Sequence, residues 1–545
     1  MSLAVQSAGR AGLVFLPVER FFLPALALAL GLAAAPPEMR GAGLSDHTTA
    51  LFSGSAPCAF CHDQGGGALR DRKGNDLSIV GDWRGTMMAH AFQDPFWRAR
   101  LEAEVEEHPH LKSFIEDKCQ TCHAPMAHTQ ARHDGAGELA FSTGLADPLS
   151  VEGVSCTLCH QIQDHDLGRP ASFSGGYLIG ANRIIFGPYD EVVAMPMRRH
   201  VEYTPQFGRH TQESELCATC HTLYTPILDE AGRVVGQFPE QTPYLEWRNS
   251  LYPKRGQTCQ ECHMPRVEEP VKISARPPWL GPRKPFWRHQ LVGGNTLMLR
   301  LLAAGEAPGQ ALAEPQQFQP LIAAARRQIQ RAASLRVKGR RQGEQAVLEV
   351  EVQNLAGHKF PTGYPDRRAW LHVRVTDAEG RTVFESGGHE QGRIRGLPGG
   401  QAPHYDQITE PGQVQIYQAI LGDDQGAPTW SLLRARSYLK DNRLPPRGFS
   451  NTGAAAADTR IRGGAEQDAN FNRKGSGADR VTYRIDLKGT AGRLRAEVAL
   501  LYQPIPPESV ERLRAGSGRF ARAFAESYAR ADKSPETVHR VKLEL

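Results

Sequence analysis

Beyond its first 35 residues the 545-residue chain has no run of 18 apolar residues, which excludes a multi-pass membrane protein. It has no strong excess of one charge. The 64 Lys+Arg against 59 Asp+Glu leave +5, too little for the dense basic face of a nucleic-acid binder. It has no compositional bias of the disordered or collagen-like kind, since 40% of residues are apolar and 23% charged. Finally, no cysteine stands outside a repeated pattern. What the chain does have begins with Arg10 and Arg20 ahead of the apolar run Phe21 to Ala35, which ends in three alanines. At 15 residues this run is short for a bilayer span, so residues 1–35 are expected to be a signal peptide, the alternative being an uncleaved anchor. The exported chain would then be free of transmembrane spans and lie in the periplasm or at the cell surface.

All ten cysteines fall into five copies of one pattern. These are Cys58-x-x-Cys61-His62, Cys119-x-x-Cys122-His123, Cys156-x-x-Cys159-His160, Cys217-x-x-Cys220-His221 and Cys259-x-x-Cys262-His263. Two thiols at this spacing can form thioethers to one haem, and the following histidine reaches the iron. Zinc ribbons need pairs of pairs, and five is odd. With 20 histidines in the chain, finding one by chance after every pair has a probability of roughly 10⁻⁷. Thioredoxin-like pairs need no such repetition, and a disulfide framework would not keep the spacing. The expectation is five covalent c-type haems. Covalent attachment of this kind takes place outside the cytoplasm, in agreement with the N-terminal segment.

The five motifs occupy Cys58 to His263, about one per forty residues, so porphyrin rather than side chains is expected to fill the interior. This gives a fold of mixed class: short helices and loops around five stacked haems over 36–300, a helical linker over 301–335, and an antiparallel β-sandwich with a terminal helix over 336–545. Asp94 and Pro95 signal a helix over Phe96–Glu107, and a second is expected over about Glu314–Ala333. From about Leu335, short alternating runs separated by turn residues read as sandwich strands, among them Val347–Val352, Leu371–Val375, Val414–Ile420, Val481–Leu487 and Leu494–Leu501. Residues 451–479, rich in Gly, Ala and Asn, suggest a long flexible loop, Pro506–Ala529 one terminal helix, and Val538–Leu545 a last strand.

The sixth position of each iron decides between electron transfer and chemistry. His90 lies in an apolar helical context. His200 and His210 bracket Pro205 between closely spaced motifs. His289 follows Phe286-Trp287 and precedes turn residues, and His358 lies in the loop Gly357–Gly363 after a strand. These five are the candidate distal ligands. For His289 and His358 a structural role in a turn is an equal alternative. Met126, Met195 and Met197 are possible thioether ligands, and His128 is undecided. His372 should point from its strand to solvent, and His108 and His110 end a helix. His47, His133, His165, His389, His404 and His539 read as solvated.

At these residues, including Glu152-Gly153-Val154-Ser155 before the third motif and Gly357–Gly363, the sequence resembles the bacterial cytochrome c554-like multihaem cytochromes. The resemblance implies bis-histidine haems close-packed for electron transfer, with His90, His200, His210, His289 and His358 as distal ligands. It implies redox partner proteins, other multihaem cytochromes among them. A multihaem oxidoreductase with one open iron, acting on a small nitrogen or sulfur compound, is the alternative. Pentahaem nitrite reductases characteristically carry a lysine in place of one motif histidine, which this chain lacks. On that alternative the open site is first sought near Met126 and His128. With two propionates per haem, the loaded protein would be near neutral or mildly acidic.

Overall fold

Asp94 accepts hydrogen bonds from the backbone N–H of Phe96 and Trp97, and the helix it caps runs Pro95–Glu107. This is the longest helix of the motif-bearing region in a computed structural model that describes residues 43–545, apart from positions 64, 66, 230–232, 306–310, 398 and 454–455. The expected signal peptide lies outside the described residues. Elsewhere in 43–300 the helices are short, from Cys156–Cys159 to Lys112–His123, and four of the five motifs begin in one or end one. Strands here come only in pairs, such as Leu223–Leu228 with Val234–Gln241. Apolar side chains form several small clusters rather than one large core.

Glu314 and Gln317 form a reciprocal capping box at the start of the helix Pro315–Ala332. Its Phe318, Leu321, Ile322, Ala325 and Ile329 are buried, and the chain passes directly from it into the strand Ala333–Gln342. Two sheets follow. One has the order Gln407–Ile408, Ala478–Asp486, Gln345–Asn354, Ala333–Gln342. The other has the order Thr382–Ser386, Arg368–Thr376, Arg495–Gln503, Glu536–Glu544, with Ile416–Tyr417 also paired to Arg368–Thr376. Inward residues of both, among them Val350, Val481, Leu371, Val373, Val498 and Leu500, belong to one buried cluster. Pairing is antiparallel except at Gln407–Ile408, which runs parallel to Ala478–Asp486.

Two expectations change. The terminal helix is broken into Pro507–Arg514 and Arg519–Arg530, because Gly516 and Gly518 pack against Glu106 and Glu102 where a Cβ would collide. Both halves pack on Pro95–Glu107, so the C-terminal helices close over the motif-bearing region. Within the expected loop 451–479, residues 456–477 are anchored: they hold the short helix Ala456–Thr459, and Ile461, Ala465 and Phe471 belong to the same buried cluster as the strands of both sheets. The described residues form one compact unit. No helix among the described residues is long and apolar enough to cross a membrane.

Candidate haem-binding cavity

All ten cysteines and all five motif histidines line one continuous cavity of about 1240 Å³. That is larger than the several hundred to about 1,000 Å³ of a typical single-ligand pocket. The five motifs, spread over more than two hundred residues, are thus gathered around one space. Burial pushes the thiols of Cys119 and Cys159 up to about 12.

The sulfurs of different motifs meet. Cys58 lies against Cys156, Cys122 against Cys220 and Cys217 against Cys259. Backbone and side-chain links repeat these neighbourhoods. Glu152, wholly buried, accepts from Ser55 N (2.8 Å), Ser55 Oγ (2.7 Å) and Ser155 Oγ (3.2 Å), tying the first motif to the third. Gly175 N donates to Thr219 O (2.7 Å), while a Cβ on Gly175 would strike the Thr121 methyl, so Gly175 lies between the second and fourth motifs. Ser214 Oγ accepts from Cys259 N (3.0 Å), joining the fourth and fifth. The segment Glu152–Ser155 thereby acquires a physical reason. Gly153, at φ +50°, lies against the carbonyls of Met88 and Ala89, and Val154 O accepts from Trp83 Nε1 (2.9 Å).

Four motif histidines are oriented in one way. Nδ1–H of His62, His123, His160 and His263 donates to the backbone carbonyls of Ile273 (3.0 Å), Ala91 (2.8 Å), Phe186 (2.6 Å) and Val292 (2.5 Å). This fixes the tautomer and leaves Nε2 bare for a metal. Burial lowers all five motif pKa values, to about 4 for His123 and His263, so the rings are neutral, the form a metal binds. His221 lines the same cavity, and Trp97 stacks on His123 at 4.3 Å and 8°.

His289 and His358 repeat the arrangement from the other side, with Nδ1–H on Trp287 O (3.1 Å) and Lys359 O (2.8 Å). The His289 ring centre stands 6.2 Å from that of His160, and His358 stands 6.1 Å from His263. Two imidazoles sharing one metal through bonds of about 2 Å have ring centres about 6 Å apart, so each pair has the spacing for one iron between them. The residues present fit haem.

The remaining distal candidates are placed differently. His200 lines the cavity but is solvent-exposed, its ring 4.4 Å from Phe60 of the first motif. His90 does not line it: Nδ1–H bonds to Thr86 O (2.8 Å), and Nε2 accepts from Leu312 N (3.0 Å). Its apolar context reflects a core histidine that anchors the 312 segment. His210 is also off the cavity, its Nε2–H on Ile162 O (2.9 Å). Met126 is buried, with Sδ accepting from Thr157 Oγ1, and His128 pairs with Asp117 (3.1 Å); neither lines the cavity. Met197 does line it, whereas Met195 is exposed. His404 is not solvated: its side chain is 2% exposed and bonded to Asp468, Gln415 and Asn442. His372 is partly exposed and pairs with Glu385 of the neighbouring strand Thr382–Ser386 (2.9 Å). Sequence reasoning missed the carbonyl acceptors, which every residue carries.

The chain matches no known family model. Among solved structures it is similar to a penta-haem cytochrome c552 from Thermochromatium tepidum, at 16% identity and a TM-score of 0.50, over 91% of this chain and 99% of that one. The chain has the fold of a multihaem cytochrome. At that identity the likeness speaks for the fold; the cavity and its histidines carry the chemistry.

Proposed function

We propose that the protein is a c-type cytochrome of the cytochrome c554-like kind, which carries electrons along five covalently held haems outside the cytoplasm. The observation that carries this reading is the two pairs of neighbouring histidines in the cavity wall, His160 with His289 and His263 with His358, each ring with Nδ1–H on a backbone carbonyl. Haem supplies reversible one-electron chemistry when bound. The cysteines would fix each porphyrin edge. The contacts Cys58–Cys156, Cys122–Cys220 and Cys217–Cys259 would bring the attachment points of neighbouring haems together, with the fourth motif beside both the second and the fifth. The carbonyl acceptors hold six of these rings at a set angle, and where two neutral imidazoles share an iron they would keep its potential low. His200 is the candidate for the first motif, because its ring lies against Phe60. Export by the N-terminal segment and exchange with other redox proteins complete the proposal.

A second reading leaves one iron open to a small nitrogen or sulfur compound. It is favoured by His62, His123 and His221, which face no second histidine ring at about 6 Å among the described residues; of these His123 has Trp97 stacked on it. Carbon monoxide added to the dithionite-reduced protein separates the two. An unmoved Soret band supports closed irons throughout, and a shifted band at one haem in five overturns the pure carrier. Intact mass must show five covalent haems, or the central proposal falls.

A further inference from the structure

His358 comes from the sheet-bearing region, yet it faces His263 across the cavity. Something must hold the loop that carries it against the motif-bearing region. The residue after it, Lys359, is wholly buried, and its Nζ pairs with Asp441 at 2.6 Å. Arg443 pairs with the same Asp441 (2.7 Å) and with Glu246 (3.2 Å). Glu246 belongs to the helix Pro243–Arg248 of the motif-bearing region and has no exposed side-chain surface. Its Oε2 accepts from Lys359 N (3.1 Å) and Thr362 Oγ1 (2.5 Å), one residue and four residues beyond His358. Asn354, also wholly buried, donates to the carbonyls of His358 (2.8 Å) and Leu444 (2.7 Å).

Two cations and two carboxylates thus form a balanced, buried quartet. Burying four charges is a poor source of stability, because desolvation offsets the attraction; such clusters are better explained by the geometry they impose. A hydrophobic contact could hold the loop with some freedom to slide. Directional bonds to Lys359 N and Thr362 Oγ1 fix both its height and its twist. The same loop carries the acceptor for His358 itself, Lys359 O, so a carboxylate on Lys359 N–H and an imidazole on Lys359 O grip one residue from both of its backbone groups.

We infer that Glu246 is a positioning residue for His358. Anchored by Arg443, it locks the loop 358–362 so that the imidazole Nε2 stays opposite His263. The sheet-bearing region then has a task in the cofactor site: it delivers an axial ligand at a fixed place. This inference rests on the proposed ligation by His358, and the experiment tests the two separately.

His358→Ala, Glu246→Ala, Glu246→Gln and Thr362→Val are compared with the parent as full-length, haem-loaded proteins, each checked for five haems by intact mass. The readouts are the Soret shift with carbon monoxide, the high-spin ferric band and rescue by added imidazole. His358→Ala is expected to add one carbon-monoxide-reactive haem in five over the parent, reversed by imidazole. If it adds none, the ligation itself is wrong. Glu246→Ala is expected to add a carbon-monoxide-reactive fraction at the same haem, with a spectrum that His358→Ala does not augment. Glu246→Gln keeps an oxygen for Lys359 N–H and should lie nearer the parent. Thr362→Val, which removes one hydroxyl at small packing cost, should speed carbon monoxide binding several-fold at that haem and serves if Glu246→Ala does not load. If His358→Ala opens the iron while the Glu246 and Thr362 variants bind carbon monoxide as the parent does, the positioning role is overturned.

Discussion

The two halves of the molecule solve the problem of an interior in opposite ways. Between residues 333 and 545 the sheets bury their own side chains, and Leu348, Val350, Leu371, Val373, Val481 and Val498 have almost no exposed surface. Between 43 and 300 the chain surrounds a large cavity, and its small apolar clusters are scattered around the wall. Burial of apolar area is the main favourable contribution to folding. The first half holds its own share in side chains, while the second leaves it to whatever fills the cavity. One region is therefore expected to fold by itself, and the other only with its cofactors.

The strongest way to break that contrast is to abolish attachment. With all ten motif cysteines changed to serine, limited proteolysis should remove most of 43–300 while the strands between 333 and 503 persist in a protected fragment. Survival of both regions, or loss of both, would refute the contrast. Next in size is a cavity made in the self-sufficient half. Leu371→Ala should cost about 3–4 kcal/mol in denaturant unfolding followed at the sheet-bearing region, and leave the haem absorption spectrum unchanged below the transition. A spectral change well before unfolding would show that the halves are not separable.

The smallest effect concerns Asp479, buried in the sheet region and pushed up to about 6 by desolvation, with Oδ2 accepting from Tyr417 OH (2.8 Å). Since its folded pKa lies above the unfolded value, the folded protein holds the proton more tightly. The stability this contributes is full below about pH 4 and is lost as pH rises to about 6, by up to about 3 kcal/mol. Asp479→Asn should flatten that part of the pH–stability curve. An unchanged slope would remove Asp479 as its source.

The five motifs were legible because thioether chemistry demands adjacent residues, so spacing along the chain is the signal. The helix at Asp94 and the strands at Val347–Val352 and Leu371–Val375 were legible for a similar local reason: caps and alternation act over a few residues. Distal ligation has no such locality. His90 and His289 both sit among apolar and aromatic neighbours, yet one faces Leu312 N and the other faces His160. That outcome depends on contacts across 222 and on rings 129 positions apart, which no short pattern records. His404 looked solvated for the same reason, because its partners Gln415, Asn442 and Asp468 are supplied by separate segments.

The neighbouring rings also mark two places where a shared metal would close a loop of the chain. A metal held between His160 and His289, and another between His263 and His358, would act as cross-links over stretches of about a hundred residues. In the unfolded chain a link of that span removes conformational entropy comparable to about 4–5 kcal/mol for a covalent bridge. Unlike a disulfide, such a link opens when a competing ligand takes its place. Added imidazole at high concentration would then loosen the topology of the whole molecule, beyond the colour of two irons.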